Sequence, residues 1–303
     1  MTEKTLIVIV GPTAVGKTAL SVKLAEKLNT EIVSADSRQF YREMNIGTAK
    51  PSAEELKRVK HHFINSLSIQ DDYSVGDYEK DALKCLDGLF KKHDKVFLVG
   101  GSGLYVNAVC EGLDTLPPGD KQIREYYEKL FSEKGLEPLQ KELKEKDITY
   151  FETVDKQNPR RLIRALEIIN ITGKPYSSFR KRKPAKRNFN VVKIGLSLDK
   201  ELLKKRINQR VDDMLASGWL EECRELYPYR NLNALKTVGY TELFDFIEGK
   251  TDWETTVINI KTNTWHYAKR QFTWFRKDTG IEWFEAGDLP SLLILSQYGR
   301  ERY

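Results

Sequence analysis

Leu6-Ile7-Val8-Ile9-Val10, running straight into Gly11-Pro12-Thr13-Ala14-Val15-Gly16-Lys17-Thr18, decides how the rest of the chain is read. The first five residues form a continuous apolar run, the signature of a strand buried on both faces of a parallel sheet. The next eight satisfy G-x-x-x-x-G-K-[ST] in full. Glycines in such a loop let the backbone turn tightly and point several N–H groups at one anion, and a helix starting near Lys17 adds its positive end. Lys17 supplies a mobile charge for terminal phosphates, and the Thr18 hydroxyl is placed to coordinate Mg²⁺. The motif alone therefore predicts a phosphate-bearing ligand, with ATP or another nucleotide as the first candidate.

Working outward, Lys17 to Leu28 keeps helical spacing through Ala19, Leu20, Leu24 and Leu28. Glu31–Ser34 reads as a second strand, with Asp36 just past its end. Ser74 is placed to N-cap a helix running to about Lys91. Val96–Val99 is a third buried strand, ending in Gly100-Gly101-Ser102-Gly103. This alternation predicts an α/β fold, a P-loop NTPase-like core with a parallel sheet. Ligands of such sheets bind beyond the carboxyl ends of the strands, where the Gly11 loop, Asp36 and the Gly100 loop all fall.

The texture changes near residue 113. Pro117-Pro118-Gly119 breaks the chain, and charged helical segments follow at about 121–133, 136–146 and 159–171. Val191–Leu198 then resumes as a strand, and helices are expected over about 200–217 and 252–277. Residues 114–190 are thus expected to be a helical insertion domain in a core made of 1–113 and 191–303. Between Lys156 and Asn190 there are eleven Lys or Arg against one acid, Glu167, although the whole chain carries only +6. A basic stretch so concentrated suggests a polyanionic partner. Cys85, Cys110 and Cys223 are odd in number and scattered, which suggests free thiols rather than disulfides or a zinc site. No apolar run approaches a membrane span and the start lacks a leader pattern, so a cytoplasmic protein is expected.

One absence is informative. A phosphoryl-transferring P-loop enzyme holds Mg²⁺ with an acid after a later strand, whereas Val96–Val99 ends in glycines and serine. The nearest strand-end carboxylate is Asp36. It could ligate a metal, act as a general base, or simply close an Asx-turn.

In order along the chain, GPTAVGKTAL (11–20), SADSRQ (34–39), IGTAKP (46–51), His61-His62-Phe63, VGGSGLY (99–105), NPRRLIRALE (158–167), Gly173-Lys174-Pro175, RINQRVDDMLASG (206–218), Val238-Gly239-Tyr240 and AKRQFTWFR (268–276) resemble the bacterial tRNA dimethylallyltransferases, the tRNA isopentenyltransferase family. The resemblance implies transfer of the dimethylallyl group of dimethylallyl diphosphate to the exocyclic N6 amine of the adenosine 3′ to the anticodon. It implies that Gly11, Pro12, Thr13, Ala14, Val15, Gly16, Lys17 and Thr18 hold the diphosphate rather than ATP, which accounts for the missing strand-end acid. Asp36 aligns with the family's general base, Lys17 and Thr13 with diphosphate contacts, and Arg206 or Arg210 with its leaving-group arginine. Four residues apart on a helix, those two arginines share a face.

The same resemblance implies contacts to the tRNA anticodon arm from Asp36, Ser37, Arg38 and Gln39, from Ser102, and from Arg160, Arg161, Leu162, Ile163 and Arg164. Further contacts are implied at Lys236, Thr237, Val238, Gly239, Tyr240 and Thr241, and at Lys269 and Arg270. Arg180-Lys181-Arg182-Lys183 is expected to meet phosphates. Of the aromatics at 253–275, most are expected in the core and only a minority to stack on a base. The protein is expected to be monomeric and to use Mg²⁺. The competing readings are a P-loop nucleotide kinase, an adenylate isopentenyltransferase and a non-catalytic RNA-binding module.

Overall fold

A computed structural model describes residues 4–180 and 184–287. Two compact units emerge, one made of the chain up to Glu111 and from Lys186 onward, the other of Gly112–Ala185.

The first unit begins with β1 (Thr5–Val10), α1 (Lys17–Lys27), β2 (Ile32–Ser34), α2 (Ala53–Arg58), β3 (His61–His62), α3 (Val75–Leu89), β4 (Lys95–Val99) and α4 (Gly103–Glu111). The second unit holds α5 (Lys121–Lys134), α6 (Glu137–Lys146), α7 (Ile148–Thr153) and α8 (Pro159–Thr172). The chain then returns to the first unit with β5 (Asn190–Ser197), α9 (Lys200–Ala216), α10 (Trp219–Leu226), α11 (Tyr240–Ile247), α12 (Trp253–Phe275) and β6 (Ile281–Glu285).

All six strands form one parallel sheet in the order β3-β2-β4-β1-β5-β6. The α/β core with a parallel sheet is therefore as expected. Side chains of β1 alternate between two apolar layers, as the period of two requires. Ile7 and Ile9 join Leu20, Leu24, Phe97, Ile194 and Ile207 on one face. Leu6, Val8 and Val10 join Val33, Tyr78, Leu86, Val96 and Leu98 on the other. Six buried residues in succession at β1 explain why the strand reads as an unbroken apolar run. After β1 the chain builds outward to β2 and β3, and after β4 it crosses to β5 and β6, so the loop following β1 lies where the order reverses.

Helix starts follow the local chemistry. Ser74 accepts from the Asp77 N–H and Asp77 returns a bond to Ser74, a capping box opening α3. Asn158 caps α8, with Pro159 at its first position. A third apolar cluster packs α9 to α12 around Trp219, Cys223, Leu235, Tyr240, Leu243 and Ile260. The three cysteines are free, and burial pushes the Cys85 thiol up to about 11 and Cys110 to about 12. No helix among the described residues is long and apolar enough to cross a membrane.

Candidate active site

The loop from Gly11 to Gly16 joins β1 to α1 and is shaped by unusual backbone angles. Gly11 (φ 145°) and Gly16 (φ 108°) adopt conformations that side-chain-bearing residues avoid, and Ala14 takes a left-handed φ of 65°. At Gly11 a Cβ would come within 2.6 Å of the Leu196 carbonyl oxygen of β5. At the first residue of the helix, Lys17 donates to the carbonyls of Gly11 (3.0 Å) and Pro12 (2.8 Å).

Two arginines flank this loop from α9, and the structure separates them. Arg210 is half-buried and donates to the Thr13 hydroxyl at 3.3 Å, on the side of Lys17 and Asp36. Arg206 is exposed and reaches the Val15 carbonyl at 3.5 Å, on the side where Lys23, Ala286 and Gly287 line a small cleft of about 160 Å³. Burial lowers the Arg210 guanidinium from its ordinary value, although arginine stays cationic in proteins.

Asp36 lies past the end of β2, facing the same loop. Its Oδ1 accepts the Arg38 N–H at 3.1 Å, so the Asx-turn foreseen as an alternative does form. A carboxylate has a second oxygen, and the turn does not exclude proton acceptance. Burial raises the Asp36 carboxyl above the usual carboxylate range, opposed by the turn N–H groups and by the charges of Lys17 and Arg38. A raised pKa makes a better base once the proton is off. Burial pulls the Lys17 ammonium down to about 8, with Asp36 opposing and the Arg210 charge adding to the fall. The cationic form binds anions, so affinity for inorganic diphosphate is expected to be level up to about pH 8 and to decline above it. Calorimetry across roughly pH 7 to 10 checks this, and a flat profile would remove Lys17 from the binding step.

The Gly100–Gly103 loop after β4 closes the site. A Cβ on Gly100 would strike the backbone of Ala35. Ser102 Oγ accepts the Ser37 N–H at 3.1 Å and shares a hydroxyl bond with Ser37 at 3.2 Å. Arg38 donates to the carbonyls of Asn233 (3.0 Å) and Lys236 (3.5 Å), bringing the 36–39 and 236–241 segments together. Gln39 is turned inward, donating to the carbonyls of Thr48 and Ala49.

Several residues singled out for RNA contact are placed otherwise. Tyr240 is buried, with its hydroxyl donating to Glu222 at 2.6 Å, and Gly239 lies under the Trp219 ring. Neither offers a side chain to a ligand, because this turn packs α11 against α10. Lys236 and Thr241 are exposed, while Thr237 and Val238 are half-buried. Lys269 and Arg270 are exposed on the outer face of α12, lining an open groove with His266, Thr273, Trp274 and Lys277. Among the aromatics of that helix, Phe275 is core and Phe272 packs edge-on to Trp283.

Within the helical unit, Leu162 (0% exposed) and Ile163 (7%) belong to the apolar core with Tyr127, Leu139, Leu143 and Leu166. Their side chains face that core, and their place in the basic block reflects helix periodicity. Arg160 and Arg161 are exposed. Arg164 is instead committed to the fully buried Glu167 at 2.7 Å and to the Pro117 carbonyl at 3.0 Å, while Arg124 and the Asp120 N–H complete the carboxylate's partners. Arg164→Ala is expected to cost about 2 kcal/mol by stripping one charged bond from a buried carboxylate, whereas Arg160→Ala leaves stability unchanged. Urea denaturation of the two variants checks this. Arg187, at the end of the basic stretch, is likewise spent on Glu79 and the carbonyls of Ala108 and Val109. Lys181, Arg182 and Lys183 lie outside the described residues.

Three residues that sequence reasoning passed over shape the site. Glu222 receives the N–H groups of Asn45, Ile46 and Gly47, fixing the 45–47 turn. Tyr267 brings its hydroxyl to Ser102 and feels the Asp36 charge, and burial holds that hydroxyl well above its usual range. Gln271 is buried among the inward residues of α12 and bonds the Gly11 loop directly. A polar side chain on the apolar face of an amphipathic helix was the available signal.

The arrangement joins a glycine loop at a helix N-terminus, two flanking cations and a carboxylate of raised pKa. A group carrying a diphosphate leaving group could sit on the loop while Asp36 takes a proton from its acceptor. For a metal, the donors fit Mg²⁺: Thr18 offers a hydroxyl in the first turn of α1, and no cluster of three or more His, Cys, Asp or Glu among the described residues forms an all-protein cage. Mg²⁺ prefers one or two hard oxygens plus phosphate and water.

The chain is similar to known proteins along most of its length. The profile of a family described as IPP transferase matches residues 39–278. A tRNA dimethylallyltransferase of Christiangramia forsetii is 56% identical over 280 residues, covering 92% of this chain and 93% of that protein. The tRNA dimethylallyltransferase 1 of Bacteroides fragilis is 47% identical over 297 residues, covering 98% and 99%. Among solved structures, the full-length tRNA isopentenylpyrophosphate transferase of Bacillus halodurans superposes with a TM-score of 0.72 at 36% identity, covering 98% of this chain and 95% of that one. A eukaryotic dimethylallyltransferase acting on tRNA gives a TM-score of 0.78 at 26% identity, covering 95% and 75%.

Proposed function

Because the chain belongs to the IPP transferase family, we propose that it transfers the dimethylallyl group from dimethylallyl diphosphate to the exocyclic N6 amine of the adenosine 3′ to the anticodon of tRNA, releasing diphosphate. The observation that carries the reading is the pairing of a complete phosphate loop with Asp36, a carboxylate of raised pKa, where β4 ends in a glycine loop and not in a metal-binding acid. A phosphoryl-transferring P-loop site holds its Mg²⁺ with that acid. The substrate of an allyl transferase is attacked at carbon and not at phosphorus, so the loop need only hold and neutralise the departing diphosphate.

In this mechanism the backbone N–H groups of the Gly11–Thr18 loop, together with Lys17, hold the diphosphate. Arg210, held at the loop by its bond to Thr13, takes up the charge that develops as the C1–O bond breaks. Mg²⁺, held by Thr18 and the diphosphate itself, would supply further neutralisation there. The N6 amine of an unstacked adenine attacks C1, and Asp36 accepts the proton it loses. Exposed Lys236, Lys269, Arg270, Arg160 and Arg161 contribute sequence-independent phosphate contacts. The protein would act as a monomer in the cytoplasm.

The test is incubation with Mg²⁺, radiolabelled dimethylallyl diphosphate and unmodified tRNA, with AMP and ATP supplied separately. Label in tRNA alone is the expected result. Label in AMP would reassign the acceptor and keep the chemistry. ATP turnover without label transfer would put a kinase in its place.

A further inference from the structure

The proposed chemistry needs two loops at a fixed separation. One is the Gly11–Thr18 loop, and the other is the glycine loop after β4, whose Ser102 bonds Ser37 next to Asp36. Gln271 of α12 spans them. Its Oε1 accepts the Thr13 N–H at 2.8 Å, and its Nε2 donates to the Gly101 carbonyl at 3.0 Å. The residue is only 6% exposed, so both bonds are shielded from solvent.

The chemistry of the two partners dictates the residue. A backbone N–H only donates and a backbone carbonyl only accepts, so one planar group must present an acceptor at one end and a donor at the other. A carboxamide does this, and so does a neutral carboxylic acid. Asparagine is one methylene shorter and cannot reach both. Gly101 is bare because a Cβ there would strike the Gln271 amide. One helical turn earlier, Tyr267 makes the parallel contact to Ser102 from the same helix.

We propose that Gln271 is a positioning residue: it locks the Gly11–Thr18 loop to the glycine loop and so sets the distance between the bound diphosphate and Asp36. The assignment rests on the reading of the first loop as a diphosphate site. It also gives this member of the 268–276 segment an inward role, distinct from that of its exposed neighbours Lys269 and Arg270.

The test compares wild type with Gln271→Leu and Gln271→Glu. Leucine removes both bonds, and turnover is expected to fall about 10²-fold, the scale of a misplaced reacting group. tRNA affinity should stay within a few-fold, the Thr13 amide should exchange its hydrogen faster, and affinity for inorganic diphosphate should weaken. Glutamate separates positioning from packing. Ionised, it cannot donate to Gly101; protonated, it can, so the activity of Gln271→Glu relative to wild type should rise as pH falls. Wild-type turnover and Thr13 exchange in Gln271→Leu would overturn the proposal, as would a pH-independent ratio for Gln271→Glu. Failure of the wild type to label tRNA would sink the functional reading instead, while Thr13 exchange and diphosphate affinity would still decide the role of Gln271.

Discussion

Replacing Asp36 by asparagine is expected to lower turnover by about 10²-fold or more while tRNA affinity stays within a few-fold. The substitution is chosen because Asp36 does two things. Its Oδ1 closes the turn onto the Arg38 N–H, and asparagine keeps that acceptor. What asparagine cannot do is take a proton from an incoming amine. Alanine removes both roles, so equal losses in the two variants would assign the whole effect to proton transfer. The wild-type rate should also decline as pH falls through the raised carboxyl pKa, since only the ionised form accepts a proton. That acid limb should vanish from the residual activity of either variant. An asparagine variant turning over at the wild-type rate would leave Asp36 with the turn alone.

Arg210→Ala is expected to lower turnover by about 10²- to 10³-fold, the usual scale for removing one donor from a developing anion. Arg206→Ala should cost less than about tenfold. The difference follows from placement. Arg210 is half-buried, bonded to Thr13 and electrostatically coupled to Lys17, so its charge acts where water is scarce. Arg206 is exposed and opens toward the cleft on the far side of the loop. Lysine should not rescue Arg210, because a point charge lacks the planar fork that bonds Thr13 and an oxygen together. Single-turnover measurements with saturating dimethylallyl diphosphate separate the chemical step from binding. The reverse order of effects would hand the leaving-group role to Arg206.

Much of the fold was legible in the chain because its signals are local. A strand buried on both faces is apolar along its buried length, as β1 is from Leu6 and β4 from Val96, and a helix start is written in its cap, as at Ser74 and Asn158. Short elements were missed for the same reason. At two residues β3 carries no periodicity, and the Ile281–Glu285 strand reads as an amphipathic scrap until β5 supplies its partner. Contact residues inferred as whole segments include side chains that packing turns inward, as with Leu162, Ile163 and Tyr240, and periodicity within a helix is what separates them from exposed neighbours.

The sequence by itself determined the glycine-rich loop after β1, its lysine and the parallel α/β core, because those depend on residue spacing within a few turns of chain. It also determined the family, through the order of its motifs. Only the tertiary structure decided which arginine of α9 stands at Thr13, which basic residues are spent on Glu167 and Glu79, and that Gln271 joins the loops of Thr13 and Gly101, which lie 258 and 170 residues before it. Those outcomes depend on which face of each helix is buried against its neighbours. A side chain's partner is fixed by packing between elements distant in the chain, and no local pattern records it.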